Sequence, residues 1–346
     1  MSPMSRRAFL RLLTSSLGSA AAARWLSACN FLARPGDASA GTISAPATIG
    51  LPSPQPLEPL APTDTPGETA PPSPAYPDVA VTRGGDDPAV LVQRALAALG
   101  GMTRFVPAGA SVLIKPNICV DYHTYEYAAT TNPWVVGALV RLAFDAGAGR
   151  VSVLDYGFGG SPTSAYVRSG IEEQVLAAGG EMLPLTRLQF LPTDLPQGLD
   201  LKSAEIHEAA LNADVFINVP IAKTHGLARL TLGMKNLMGV ILDRQAIHRN
   251  IGQRLADLTS RIRPALTVID AVRILTANGP TGGNLDDVRK IDTVIASPDI
   301  VAADAYGATL FGLQPGDLDY ITAGTAMGLG RSDLAALRIE EIAVGG

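Results

Sequence analysis

Apolar residues cluster along the chain in short runs separated by longer amphipathic stretches. The runs VAVT (79–82), SVLIK (111–115), RVSVLD (150–155), DVFINV (214–219), ALTVID (265–270) and DTVIAS (292–297) are mostly continuous in apolar character. That is the signature of strands covered on both faces. Between them DPAVLVQRALAAL, NPWVVGALVRLAFDAGA, SAEIHEAALNA, IGQRLADLTSRI and DIVAADAYGATLFG carry helical spacing. In the second, Asn132 stands as N-cap and Pro133 at the first helical position. Alternating strands and helices predict an α/β domain over residues 79–346. Its sheet would be mostly parallel with helices on both faces, a doubly wound, three-layer architecture.

Ahead of that body the pattern changes twice. From Asn30 to about Asp78 proline recurs every few residues, as in LPSPQPLEPLAPTDTPGETAPPSPAYP, which no helix accommodates. We read residues 29–78 as a disordered Pro-rich linker, able to hold the body up to about 150 Å away at about 3.1 Å per residue. Before it, residues 1–28 read as an export signal. SRRAFLR (5–11) sets two adjacent arginines before a weakly apolar run, as in twin-arginine signals. The run ends in LSAC (26–29), which resembles a lipobox with Cys29 as the acylated residue. Twin-arginine export followed by lipidation places the protein outside the cytoplasm on a membrane. The other reading is a fortuitous Arg-Arg pair before an alanine-rich helix, with Cys29 an idle thiol.

Composition narrows the function classes. Hydrophobic residues make up 47% and charged residues 17%, which suits a well-buried body rather than a disordered chain. The formal net charge is −5, and removing Arg6, Arg7, Arg11 and Arg24 with the signal gives −5 − 4 = −9. Nucleic-acid binding therefore has no electrostatic basis, and acyl chains rather than charge would hold the protein to a membrane. Two cysteines, Cys29 and Cys119, do not suffice for a disulfide scaffold, a multi-thiolate zinc site or a four-cysteine iron–sulfur cluster.

In open α/β sheets ligands sit beyond the carboxyl ends of the strands, so the polar residues just after the strand runs are the candidates. These are Lys115, Asn117, Asp155, Lys223, His225 and Asp270. In KPN, Pro116 keeps Lys115 extended, so the lysine either snorkels to water or meets an anion. AKTHG (222–226), read as the loop after a buried strand, combines a point charge in Lys223, a titratable ring in His225, and Gly226, where a ligand could approach the backbone. The competing reading is a turn capped by Thr224 with His225 exposed. TLGMKNLMGVI (231–241) sets Lys235 and Asn236 among apolar residues with no separate polar face. We expect an irregular segment lining a cleft, against a buried helix whose Lys235 snorkels. In DRQAIHRN (243–250) helical spacing would put Arg244 and His248 on one face. NGPTGG (278–283) is a turn that could offer N–H groups to an anion. Asp299 and Asp304 read as acids at a helix start.

VLIKPN, TTNPWVV, NVPIAKTHGLARLTLGMKNLMGVI, HRNIGQRLADL, LTVIDAV, NGPTGG and SPDIVAADAYG occur in the order seen in the family called domain of unknown function 362. The chain resembles that family over about residues 79–330. The resemblance marks Lys115, Asn117, Lys223, His225, Gly226, Lys235, Asn236 and Gly239 as matches, with His248 and Asp270 less distinctive. Family members are sometimes joined to iron–sulfur ferredoxin modules, which implies nearby redox chemistry. This chain has no Cys-x-x-Cys run, so a cluster would have to come from a partner protein.

The expectation drawn from these residues is an enzyme for an anionic small molecule. His225, Lys223 and His248 would do proton chemistry, and Lys115, Asn117, Gly226, Lys235, Asn236 and Asp270 would hold the ligand. A non-catalytic ligand-binding lipoprotein and a scaffold for an iron–sulfur partner are the alternatives. No cofactor is identified. Export of folded proteins by the twin-arginine route suits one inserted beforehand, and a metal would draw on His225, His248 and an aspartate.

Overall fold

The structure is a computed structural model and describes residues 76–345. The export signal, Cys29 and nearly all of the Pro-rich segment lie outside the described residues. Twelve strands are described: β1 Val79–Arg83, β2 Ser111–Pro116, β3 Arg150–Val153, β4 Glu181–Met182, β5 Phe190–Asp194, β6 Ser203–His207, β7 Val215–Val219, β8 Ile221–His225, β9 Arg229–Thr231, β10 Leu266–Leu275, β11 Val288–Ser297 and β12 Ile339–Ala343.

Ten of them form one mixed sheet in the order β12-β1-β11-β10-β7-β2-β3-β4, with β8 paired to β10 and β9 paired to β8. Pairing is parallel from β10 through β7, β2 and β3 to β4, and antiparallel where β11 meets β1 and β10. The six apolar runs are all strands. DTVIAS lies on β11, the strand that reverses direction.

Alternate residues along the strands enter two separate cores, the mark of a sheet covered on both faces. Leu113, Phe216 and Ile269 pack with the helices Ile251–Arg261, Ile300–Thr309 and Asp319–Ala326. Val112, Ile114, Ile217 and Val268 pack with Pro88–Ala98, Pro133–Asp145 and Ile171–Ala177 on the other face. This is the three-layer α/β arrangement. The helix starts follow the local chemistry: Asp87 and Asn132 accept from Ala89 N and Trp134 N, each just before a proline.

The chain leaves β2 toward β3 through Pro133–Asp145 on one face. It leaves β7 toward β10 through Ile251–Arg261 on the other. The connections diverge between the adjacent strands β2 and β7, which makes that junction a topological switch point. Lys115 and Asn218 are register partners there.

Three local expectations need correction. SAEIHEAALNA is not a single helix. Ser203–His207 is β6, paired with β5 in a separate two-stranded sheet, and only Glu208–Asn212 is helical. AKTHG is not a loop: Pro220 interrupts β7 and the chain continues as β8, so Lys223 and His225 sit on a strand. TLGMKNLMGVI is helical, though not regularly so: one α-turn, Gly233–Asn236, tightens into a 3-10 turn, Leu237–Val240.

Candidate functional site

A cavity of about 320 Å³ opens beside the β2–β7 junction. Lys115 closes β2, Asp155 follows β3, Lys223 and His225 come from β8, and Lys235, Asn236 and Gly239 from the two short turns after β9. Arg244 and His248 bracket the helix Arg244–His248, started by Asp243, which accepts from Gln245 N and Ala246 N.

The floor of the cavity is a buried polar network. Lys115 Nζ lies 2.7 Å from Asp155 Oδ1 and donates to Pro116 O (2.8 Å) and Asn236 Oδ1 (3.0 Å). Lys223 Nζ donates to Ala129 O (2.6 Å), Pro280 O (2.9 Å) and Asn117 Oδ1 (3.0 Å). Asn117 Nδ2 donates to Asn236 Oδ1 (3.0 Å), and Asn236 Nδ2 to Asn218 Oδ1 (2.9 Å). An ammonium has three N–H bonds: Lys223 spends all three within the protein, and Lys115 spends two and is ion-paired to Asp155. Lys115 and Lys223 therefore project charge into the cavity but have no free donor to give a ligand. Burial pulls both below the ordinary lysine value, while Asp155 beside Lys115 and Cys119 beside Lys223 oppose the shift.

Lys235 differs. Among the described residues its Nζ makes no hydrogen bond and no ion pair. Burial first, then the neighbouring Lys223, bring its amine down to about 7. Arg244 donates to Tyr156 O (3.0 Å) and Gly157 O (2.9 Å) and stacks 4.4 Å from the Tyr156 ring centre. Three of its five N–H bonds remain for a ligand.

His225 Nδ1 accepts from Leu227 N (3.2 Å) and Ala228 N (3.1 Å), so its proton sits on Nε2. Burial, with Lys235 next, holds the ring down at about 3, so it is a neutral N–H donor rather than an imidazolium. His225 itself, not Thr224, caps the turn. Thr224 Oγ1 instead accepts from Gly279 N (3.2 Å). The His225 and His248 rings stack with centres 6.3 Å apart, and burial lowers His248 as well.

The cavity gathers Lys115, Asn117, Lys223, His225, Lys235, Asn236 and His248 from the expected set. It leaves out two. Asp270 accepts from Asn132 N (2.6 Å) and Val272 N (3.0 Å), anchoring the start of Pro133–Asp145. Burial raises its carboxyl to about 6. Gly226 is exposed in the β8–β9 turn with open space around it and does not line the cavity. Gly239 is the glycine that matters: a Cβ there would fall on the Asp155 carboxylate and the Lys115 ammonium.

The NGPTGG loop presents the Pro280 carbonyl to the Lys223 ammonium. Asp304 does not decorate its own helix. It is buried and accepts from Gly233 N (2.5 Å) and Met234 N (2.9 Å), clamping the start of the turn that carries Lys235 and Asn236. Arg244, Asp155 and Asn218 complete the site. Asn218 was legible as a lone amide inside the buried run FINV. No group of three or more His, Cys, Asp or Glu side chains among the described residues could hold a metal ion.

Four cations (Lys115, Lys223, Lys235, Arg244) face two carboxylates (Asp155, Asp243) around a cavity at the switch point of an α/β sheet. The chain belongs to the domain of unknown function family DUF362, whose sequence profile matches residues 112–309. It is 28% identical over 241 residues to a thylakoid-associated protein of Synechocystis sp., a match covering 67% of this chain and 72% of that one. Among solved structures it is similar to the lactate racemase apoprotein from Thermoanaerobacterium thermosaccharolyticum. There the TM-score is 0.46 and the identity 12%, over 67% of this chain and 56% of that chain. A second, a Thermotoga maritima protein, gives a TM-score of 0.40 and 12% identity over 66% and 60%.

Proposed function

We propose that the cavity binds a small carboxylate-bearing molecule and acts on it chemically. The observation that supports this is the cation excess, with Lys235 unpartnered and Arg244 only partly so. A carboxylate would take the free edge of Arg244, and the His225 Nε2–H would reach a second oxygen of the ligand. Lys115, Asn117, Lys223 and Asn236 would hold that geometry, the two lysines adding positive potential, without touching the ligand. His225 would stabilise developing negative charge as a neutral donor. This replaces the proton-transfer role its sequence context suggests, because Nδ1 is occupied and Nε2 carries the proton. His248 and the Lys235 amine remain as the groups able to move a proton.

We further propose twin-arginine export and anchoring through acylated Cys29, supported by SRRAFLR and LSAC. The ligand reading is tested by thermal unfolding with and without oxalate. Oxalate is expected to raise the transition temperature of the wild type and to leave the Lys235→Met, Arg244→Met double variant unmoved. Equal responses in the two proteins would refute the reading. Incorporation of radiolabelled palmitate in cells, abolished by Cys29→Ala, tests the anchor.

A further inference from the structure

We propose that Lys235 is an imine-forming residue and that the ligand is a small 2-oxo acid. This rests on the carboxylate-binding reading above and names the reacting atoms. The chain has five lysines, Lys115, Lys202, Lys223, Lys235 and Lys290, and three of them surround this one cavity. Their roles divide by hydrogen bonding. Lys223 has spent three N–H bonds on protein oxygens, and Lys115 has spent two and is ion-paired to Asp155. Lys235 Nζ, placed in the same wall, is left without a protein partner among the described residues.

An amine used only to pair with a bound anion gains from staying charged. The surroundings of Lys235 work the other way. Burial, then Lys223, Arg244 and Lys115, disfavour its protonation against the opposing pull of Cys119, and Asp155 is committed to Lys115. Two committed cations next to a free one is an arrangement that keeps an amine nucleophilic. The turn bearing it is fixed from below by Asp304 and from the side by Asn236, so the amine is held on a rigid support rather than a loop.

A 2-oxo acid fits the remaining groups. Its carboxylate matches the planar free edge of Arg244, and its carbonyl oxygen matches the His225 Nε2–H. A volume of about 320 Å³ suits a small ligand. The Lys235 lone pair adds to the carbonyl carbon to give a carbinolamine. The nitrogen then gives up its protons, the hydroxyl leaves as water, and the C=N bond forms. Amine plus ketone gives imine plus water, with no change of oxidation state and no co-reactant.

Reductive trapping tests this. The purified protein is incubated with glyoxylate and cyanoborohydride near neutral pH, and modified lysines are located by peptide mass spectrometry. Lys235 is expected to be labelled faster than the exposed Lys290 by more than about tenfold. Lys235→Arg, which keeps the charge, is expected to lose that adduct while unfolding at a temperature close to wild type. Labelling of Lys202 and Lys290 with no preference for Lys235 would overturn the proposal. Oxalate, which forms no imine, separates the two readings. Oxalate binding without Lys235 labelling refutes the imine and leaves the carboxylate site standing, whereas loss of oxalate binding removes both.

Discussion

Asn236 Oδ1 accepts a hydrogen bond from Lys115 Nζ at 3.0 Å, across 121 positions of sequence. The same oxygen accepts from Asn117 Nδ2, and Lys223 then donates to Asn117 Oδ1. One side chain thus ties the turn that carries Lys235 to the end of β2 and, through Asn117, to β8. Lys115, Lys223 and Asn236 are buried and Asn117 half-buried, and each is held by the others, so removing one strands its neighbours. Asn236→Ala is expected to cost on the order of 2–4 kcal/mol in urea unfolding. Asp155→Asn, which leaves the Lys115 ammonium without a counter-charge, is expected to cost about 3–5 kcal/mol. Either variant unfolding like wild type would contradict the network's role.

Gly239 faces the same pair from the other side. A methyl group there has no room beside Lys115 and Asp155, both fixed by hydrogen bonds. Gly239→Ala is expected to destabilise by about 1–3 kcal/mol through overpacking and to abolish the oxalate-induced rise in unfolding temperature. Gly226→Ala, at the exposed turn, should leave both properties unchanged.

Lys235 carries a stability cost with a defined pH window. Its folded value of about 7 lies below its ordinary 10.5, so the unfolded chain binds the proton more strongly between those limits. Wild-type stability should therefore rise from pH 7 toward 10.5 on this account. Lys235→Met should unfold at a higher temperature than wild type at and below pH 7, by on the order of 2–8 °C. The difference should shrink through the alkaline range and vanish near 10.5. A destabilised Lys235→Met at pH 7 would show that the amine is paired. Stability traded for an unpaired cation is a common cost of a functional site.

His225 contributes at the acid end. Held down at about 3 against an ordinary 6.5, it supports stability that is present above 6.5 and lost as pH falls toward 3. His225→Gln is expected to flatten that part of the stability profile relative to wild type, measured as the unfolding midpoint at successive pH values. An unchanged slope would mean that the ring keeps its ordinary value in the fold.

Much of the architecture was legible in sequence because both faces of the sheet are buried. Runs such as SVLIK and DVFINV have no solvent face to interrupt them, and proline after an acid or amide marked the helix starts. What escaped were elements set by tertiary pairing: β8, where AKTHG reads as a loop until β9 and β10 pair with it, and β6, whose EIH reads as helical. The site's membership was legible too, since Lys115, Lys223, His225, Lys235 and Asn236 stand out in apolar surroundings. Their division of labour was not. Whether a lysine is saturated or free depends on carbonyls such as Ala129 O and Pro280 O, which no side-chain pattern encodes. Asp270 looked like a ligand group for the same reason, since the backbone N–H groups that occupy it lie 138 and 2 positions away.

The claim that this cavity is a carboxylate site built on Lys235 and Arg244 is met most directly by calorimetric titration of oxalate into the wild type and the Lys235→Met, Arg244→Met double variant. Saturable one-to-one binding in the wild type, weakened by about a hundredfold or more in the double variant, is the predicted result. Equal affinity in both proteins, or no heat above dilution in the wild type, would contradict it.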